Sequence, residues 1–167
     1  YRRGLDIFHN LFGPMGENAL NQLQSISPDF ADMVINFSFG DVNSREDLDK
    51  VTRQYCTVAG LLPKGGQPLK MHTLGAKNIG IPKADLVKLI EFIALNDQRQ
   101  QEATNTINEI FPENSQNSVS ITDRQLGLAR IAALIAQNQM THLEMAYTNA
   151  LIHEATHQEI EGVIIHM

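Results

Sequence analysis

"PLKMHTLGAKNIGIPKADLVKLI", residues 68–90, decides the fold by the way it divides. Leu69 to Asn78 predicts a helix, and Gly80 is a natural C-terminal cap because it tolerates the left-handed backbone there. Pro82 opens another helix, expected to about Leu95. Leu86, Leu89, Ile90 and Ile93 recur on it at the spacing of one buried face. Helix, glycine stop and proline start follow one another with no β-branched alternation.

The same punctuation extends outward in both directions. Upstream, "PKGGQP" (Pro63–Pro68) is a turn, and Ser44-Arg-Glu-Asp47 reads as a cap with a carboxylate three residues on. It opens a predicted helix to about Leu62, with Leu48, Val51, Tyr55, Val58 and Leu62 inward. Earlier still, a helix over about Gly4–Phe12 stops at Gly13-Pro14, and a short one runs to about Gln24. Ser27-Pro28 starts another. Phe30, Met33, Val34 and Phe37 give it a predicted buried face, and it ends near Phe39-Gly40. Downstream, a helix is expected over about Arg99–Phe111. "PENSQNSVS" (112–120) then reads as a linker. Thr122-Asp-Arg-Gln125 is a capping box opening a helix to about Ala136. Helices near Thr141–Ile152 and from about His157 follow. The fold class is all-α.

The chain has 167 residues, 43% hydrophobic and 19% charged, a globular balance. A net charge of −6 disfavours nucleic acid and an anionic membrane as partners, because no basic stripe exists to displace counterions. One cysteine, Cys56, excludes an internal disulfide and any Cys-x-x-Cys pair; it reads as a small core residue. With no long apolar span or leader pattern, the expected compartment is the cytoplasm.

The chain also repeats itself. Residues 48–90 lie over 121–164 with a one-residue insertion in the turn. This places Ala59 on Ala132, Leu61 on Leu134, Met71 on Met145, Ala76 on Ala150 and Leu86 on Ile160. The expected organisation is a full repeat over residues 1–111, the linker 112–120, and a partial, degenerate second repeat over 121–167.

The first copy resembles the carboxymuconolactone decarboxylase family, which includes the alkylhydroperoxidase-like proteins. The segments carrying the resemblance are "YRRGLDIFHNLFG", "FSFGDV" (Phe37–Val42), "LDKVTRQ" (Leu48–Gln54) and, most specifically, Pro68–Ile90. It implies an alkylhydroperoxidase-like helical bundle, assembled as a homo-trimer or hexamer, and two possible chemistries. One is cofactor-free decarboxylation of a small carboxylated, lactone-type substrate; the other is thiol peroxidation. The family histidine matches His72. The two thiol positions are Gly65 and Pro68, so peroxidation by that mechanism is not expected. The relay glutamate position holds Gln54, which can orient a substrate but not exchange a proton. The Tyr-x-Gly-x-Pro segment is replaced by "IALNDQRQQ". In the second copy Leu126, Gly127 and Ala146 stand at the positions of Arg53, Gln54 and His72.

The resemblance therefore implies a site of His72, Arg53 and Gln54. His72 carries the proton that replaces carbon dioxide, and Phe37, Phe39 and Val42 wall an apolar substrate pocket. A structural reading stands beside each role. His72 also fits a hydrogen-bonded core histidine, Arg53 an i, i+4 pair with Asp49, and the phenylalanines plain core packing. Lys70 and Lys77 fit a solvated face better than an anion site. The alternatives for the whole chain are a non-catalytic binding or structural protein and a peroxidase-like protein that lacks the Cys-x-x-Cys pair.

One further motif competes. "HEATH" (His153–His157) matches H-E-x-x-H, in which two histidines on one helical face hold zinc. Yet Thr156-His-Gln-Glu159 is itself a capping box, so a helix should begin after Thr156 and separate the two imidazoles. No metal site is expected.

Overall fold

The computed structural model describes residues 1–111 and 118–167; the predicted linker therefore lies mostly outside the described residues, at 112–117. Among the described residues there is no strand, and no helix is long and apolar enough to cross a membrane. The chain forms two compact units, Tyr1–Glu46 and Asp47–Met167.

In the first unit, α1 (Arg2–Ile26) is broken at Gly13, whose φ is 56°, where the Gly13-Pro14 stop was expected. Ser27 caps α2 (Pro28–Met33) by accepting from the Phe30 amide, as predicted. The backbone then widens into a π-helical stretch, Val34–Val42, with i to i−5 bonds such as Asn43 N–H to the Ser38 carbonyl. The expected core face is not the one used. Phe30, Met33 and Phe37 are 51%, 61% and 60% exposed, whereas Ala31, Ile35, Phe39 and Val42 are buried. Phe30 and Met33 already point outward on α2, before the widening starts, and the buried set Ala31, Ile35, Phe39 and Val42 is the neighbouring helical stripe at i, i+4, i+8 and i+11. Phe8, Phe12 and Phe39 stack edge to face, with Phe8 5.0 Å from each of the others. Gly4 sits where a Cβ would lie 2.1 Å from the Ile35 carbonyl oxygen, so the two segments touch backbone to backbone.

The second unit is built on α3 (Lys50–Leu61) and α7 (Asp123–Ala136), which pack together between two apolar clusters. Tyr55, Val58, Ala59, Leu126, Ala129 and Ala133 face a cluster completed by α4 (Gly66–Asn78), α5 (Lys83–Phe92) and α6 (Asp97–Ile110). Cys56, Leu128, Ile131 and Ala132 face the other, completed by α8 (Leu143–Ile152) and α9 (His157–His166). The expected inward residues of α5, Leu86, Leu89, Ile90 and Ile93, are all buried.

One helix start differs from expectation. The cap of α3 is Asp49, which accepts from the amides of Val51 and Thr52 at 3.0 and 2.8 Å. Ser44 instead donates to the Gly40 carbonyl at 2.6 Å. The true cap lies closest to the first helical amides, and only its side chain can turn back on them.

The turns between α4 and α5 and between α8 and α9 have the same construction. Gly80 (φ 87°) follows α4, with Ile81 N–H bonded to the Ala76 carbonyl and Gly80 N–H to that of Lys77. Glu154 (φ 68°) follows α8, with Ala155 N–H bonded to the Ala150 carbonyl and Glu154 N–H to that of Leu151. Both are the paired-bond helix ending that needs one left-handed residue.

Candidate functional site

The polar residues singled out in the sequence converge on one face of α3. Arg53 and Gln54 are buried, although both are polar, so each requires a partner. Arg53 donates from Nη2 to Asp47 Oδ1 at 2.7 Å, and the two side chains are 4% and 5% exposed. The expected i, i+4 partner, Asp49, is not the one used. Its carboxylate is turned onto the first turn of α3, where Thr52 Oγ1 also donates to it at 2.6 Å. Burial would raise the Asp49 pKa, but bonds from the Thr52 hydroxyl and amide, the Val51 amide and the charge of Arg124 outweigh it and hold it low.

Gln54 and His72 are brought together, as the resemblance implied. The Gln54 side-chain nitrogen donates to the His72 carbonyl at 2.6 Å and faces His72 Nδ1 at 3.5 Å. An amide that donates at Nδ1 favours the tautomer with its proton on Nε2. Burial pushes the His72 pKa from 6.5 down to about 4, so the ring is neutral near pH 7.

A third polar side chain joins these from the far end of the chain. His166, on the last turn of α9, sets Nε2 2.6 Å from Thr57 Oγ1, and Thr57 lies one turn along α3 from Arg53. Burial, with the charges of Arg53 and His72, pushes the His166 pKa to about 4 against the opposing pull of Asp47. Sequence reasoning missed His166, Thr57 and the role of Asp47. The available signal was the Thr156 capping box: it fixes the register of α9, and Gly162 and His166 then fall one turn apart on one face.

The remaining candidates are placed elsewhere. Phe37, Phe39 and Val42 belong to the first unit; Phe39 and Val42 are in its core, and Phe37 is exposed. Lys70 pairs with Glu109, and Lys77 donates to the Ile110 carbonyl at 2.7 Å while lying 5.7 Å from the Phe111 ring centroid. Both lysines thus lie on a solvated face, as expected, and tie α4 to the end of α6 from there. Cys56 is fully buried, and burial pushes its thiol to about 12, which suppresses the thiolate.

"HEATH" spans the break that its capping box predicted. His153 ends α8, Glu154 is left-handed, and Thr156 caps α9 by accepting from the Glu159 amide at 3.1 Å. His157 instead contacts the Tyr147 hydroxyl. Among the described residues no group of three or more His, Cys, Asp and Glu side chains is placed to hold a metal ion.

The model of the carboxymuconolactone decarboxylase family matches residues 28–100, which include Arg53, Gln54 and His72 and exclude His166. Over 92 residues the chain is 34% identical to the 4-carboxymuconolactone decarboxylase of Acinetobacter baylyi, an alignment spanning 54% of this chain and 69% of that protein.

Proposed function

The chain belongs to the carboxymuconolactone decarboxylase family, and from that premise we propose that it is a carboxy-lyase acting without a cofactor on a small carboxylated, lactone-type substrate. The observation that carries this reading is the Gln54–His72 pair beside Arg53. It joins an imidazole that is neutral near pH 7 to the residue that follows Arg53 on α3, and a proton carrier and a cation are the two group types this reading uses.

Arg53 supplies positive potential for the substrate carboxylate, while Asp47 fixes the direction of its fork. As the carbon–carbon bond to that carboxylate breaks, carbon dioxide leaves and the electron pair passes into the unsaturated ring as a dienolate. One proton must then be added to carbon. His72 is the group that delivers it in this reading. Its pKa is low in the empty site, and the negative charge of a bound carboxylate raises it, so the ring takes up a proton together with substrate. Gln54 orients the ring and exchanges no proton.

We read the second half as a degenerate copy of the first. The order α3, α4, α5 recurs as α7, α8, α9. Asp49 and Thr122 cap the first helices of the two sets, and the endings at Gly80 and Glu154 coincide. At the positions of Arg53, Gln54 and His72 the copy buries Leu126, Gly127 and Ala146, so it carries no equivalent site.

The test is spectroscopic decarboxylation of 4-carboxymuconolactone by the wild type and by His72→Ala. Turnover by the wild type and a loss of about a hundredfold or more in the variant support the reading. Equal rates remove His72 from the chemistry, and no turnover by the wild type assigns the chain to the non-catalytic alternative.

A further inference from the structure

Each turnover of a decarboxylase consumes one proton, so a proton-delivering His72 must be recharged from solvent before the next. We propose that His166 performs this step: it is a positioning and relay residue that passes protons to His72. The proposal rests on the carboxy-lyase reading and extends it to a residue outside the family-matched segment.

The geometry starts from α3. Gln54 and Thr57 stand three residues apart on this helix and are surface neighbours. Gln54 holds His72 from α4, and Thr57 holds His166 from α9. Two imidazoles from different helices thus hang from adjacent positions of one helix face.

The tautomer of His166 follows from proton counting. Thr57 has one hydroxyl proton, and its Oγ1 lies 3.0 Å from the Arg53 carbonyl, which can only accept. The Thr57 oxygen is therefore the acceptor for His166, whose Nε2 carries the ring proton. Nδ1 is left as a bare lone pair, and this atom is buried with no hydrogen-bond partner. A buried acceptor without a donor is costly to maintain, and such atoms are exceptions in folded proteins. His166 as a residue remains partly exposed, between exposed Ile165 and Met167. The residue thus stands at the boundary of the core with its basic nitrogen inside.

The charged groups around His166 set the direction of transfer. Arg53 and His72 oppose a resting proton on it, and Asp47 favours one. The other nearby ion pair, Arg124 with Glu159, lies at the opposite end of α9. A proton acquired by His166 is therefore held weakly and passes on once an anionic intermediate makes His72 the stronger base.

The test uses His166→Gln, whose amide still reaches Thr57 but has no titrating nitrogen, with melting temperature measured as the control for folding. In the decarboxylation assay kcat is expected to fall about tenfold or more and to recover on adding free imidazole, a diffusible proton carrier. A variant as fast as the wild type, or a slow folded variant that imidazole does not rescue, overturns the relay. A second arm needs no substrate: NMR titration of His72 should show a higher midpoint in His166→Gln, because a neighbouring cation has been removed. An unchanged midpoint overturns the coupling. Failure of the wild type to turn over substrate would instead overturn the carboxy-lyase reading, which the first arm registers separately.

Discussion

Gly162 lies directly over Asp47: a Cβ at position 162 would stand 2.8 Å from Asp47 Cγ and 3.0 Å from the oxygen that accepts from Arg53. The missing side chain on α9 is what lets the buried Asp47–Arg53 pair exist. Gly162→Ala should therefore push Asp47 off Arg53 while adding a helix-favouring residue. Breaking a buried pair from one side costs about 3–5 kcal/mol, far more than the roughly 1 kcal/mol gained in helix propensity. Urea unfolding should show a net loss of about 2–4 kcal/mol, and kcat/KM should fall with it. An unchanged midpoint would mean that Asp47 has another place to go.

Asp85 is the fastening between α5 and the start of the second half. Its Oδ1 accepts from the amides of Ser120 and Ile121 at 2.6 and 3.0 Å, and its Oδ2 from the hydroxyls of Tyr55 and Ser120 at 2.5 and 2.6 Å. Burial alone would raise its pKa, but the bonds from Ser120, Tyr55 and Ile121 outweigh it and hold the carboxyl below its ordinary value. Asp85→Asn replaces one acceptor by a donor that meets other donors. The expected cost is about 2–3 kcal/mol in denaturant. The wild type should lose this contribution only as the pH falls below the ordinary carboxylate value of 3.8.

What the sequence revealed and what it hid divide along the range of the interactions. Gly80, Pro82, Thr122 and Thr156 were readable because a cap is made within three or four residues. The fold class followed from such local signals. The buried face of the segment after Ser27 was misread because two apolar stripes run along it, and only the packing against α1 decides that Ala31, Ile35, Phe39 and Val42 are the inner one. Arg53 had two acidic candidates, and choosing Asp47 over Asp49 required knowing which one caps α3. The Thr156 capping box fixes the face of α9 on which His166 lies, but not its partner, since the bond to Thr57 joins residues 109 apart.

Protonation of the two imidazoles should set the acid limit of stability. His72 and His166 both shift from 6.5 to about 4, so the folded state resists protons that the unfolded chain accepts. Above pH 6.5 both rings are neutral in either state and the linkage is absent. As the pH falls from 6.5 towards 4, the unfolded chain gains protons first and stability declines, by roughly 3 kcal/mol per ring at most. Asp49 and Asp85, both depressed, act below this window. Unfolding free energies at pH 7.5, 6 and 5 should therefore decline in the wild type and less steeply in His72→Gln or His166→Gln. A flat profile between pH 7.5 and 5 would contradict burial as the cause of the shifts.

Glu154, the residue that would be the catalytic base of a zinc protease, is held at φ 68°. At the matching position after α4 the chain uses Gly80, at φ 87°. A side chain in the left-handed region costs about 1–2 kcal/mol, which glycine avoids. Glu154→Gly should therefore stabilise the protein by about 1 kcal/mol and leave decarboxylation unchanged, because position 154 belongs to a turn. The zinc reading makes the reverse forecast, with Glu154 essential to activity and zinc raising the melting temperature. Melting curves of the wild type and Glu154→Gly, each with and without zinc, distinguish the two. A rise with the substitution and none with the metal confirms the helix ending, whereas a zinc-dependent rise abolished by the substitution would reinstate the motif.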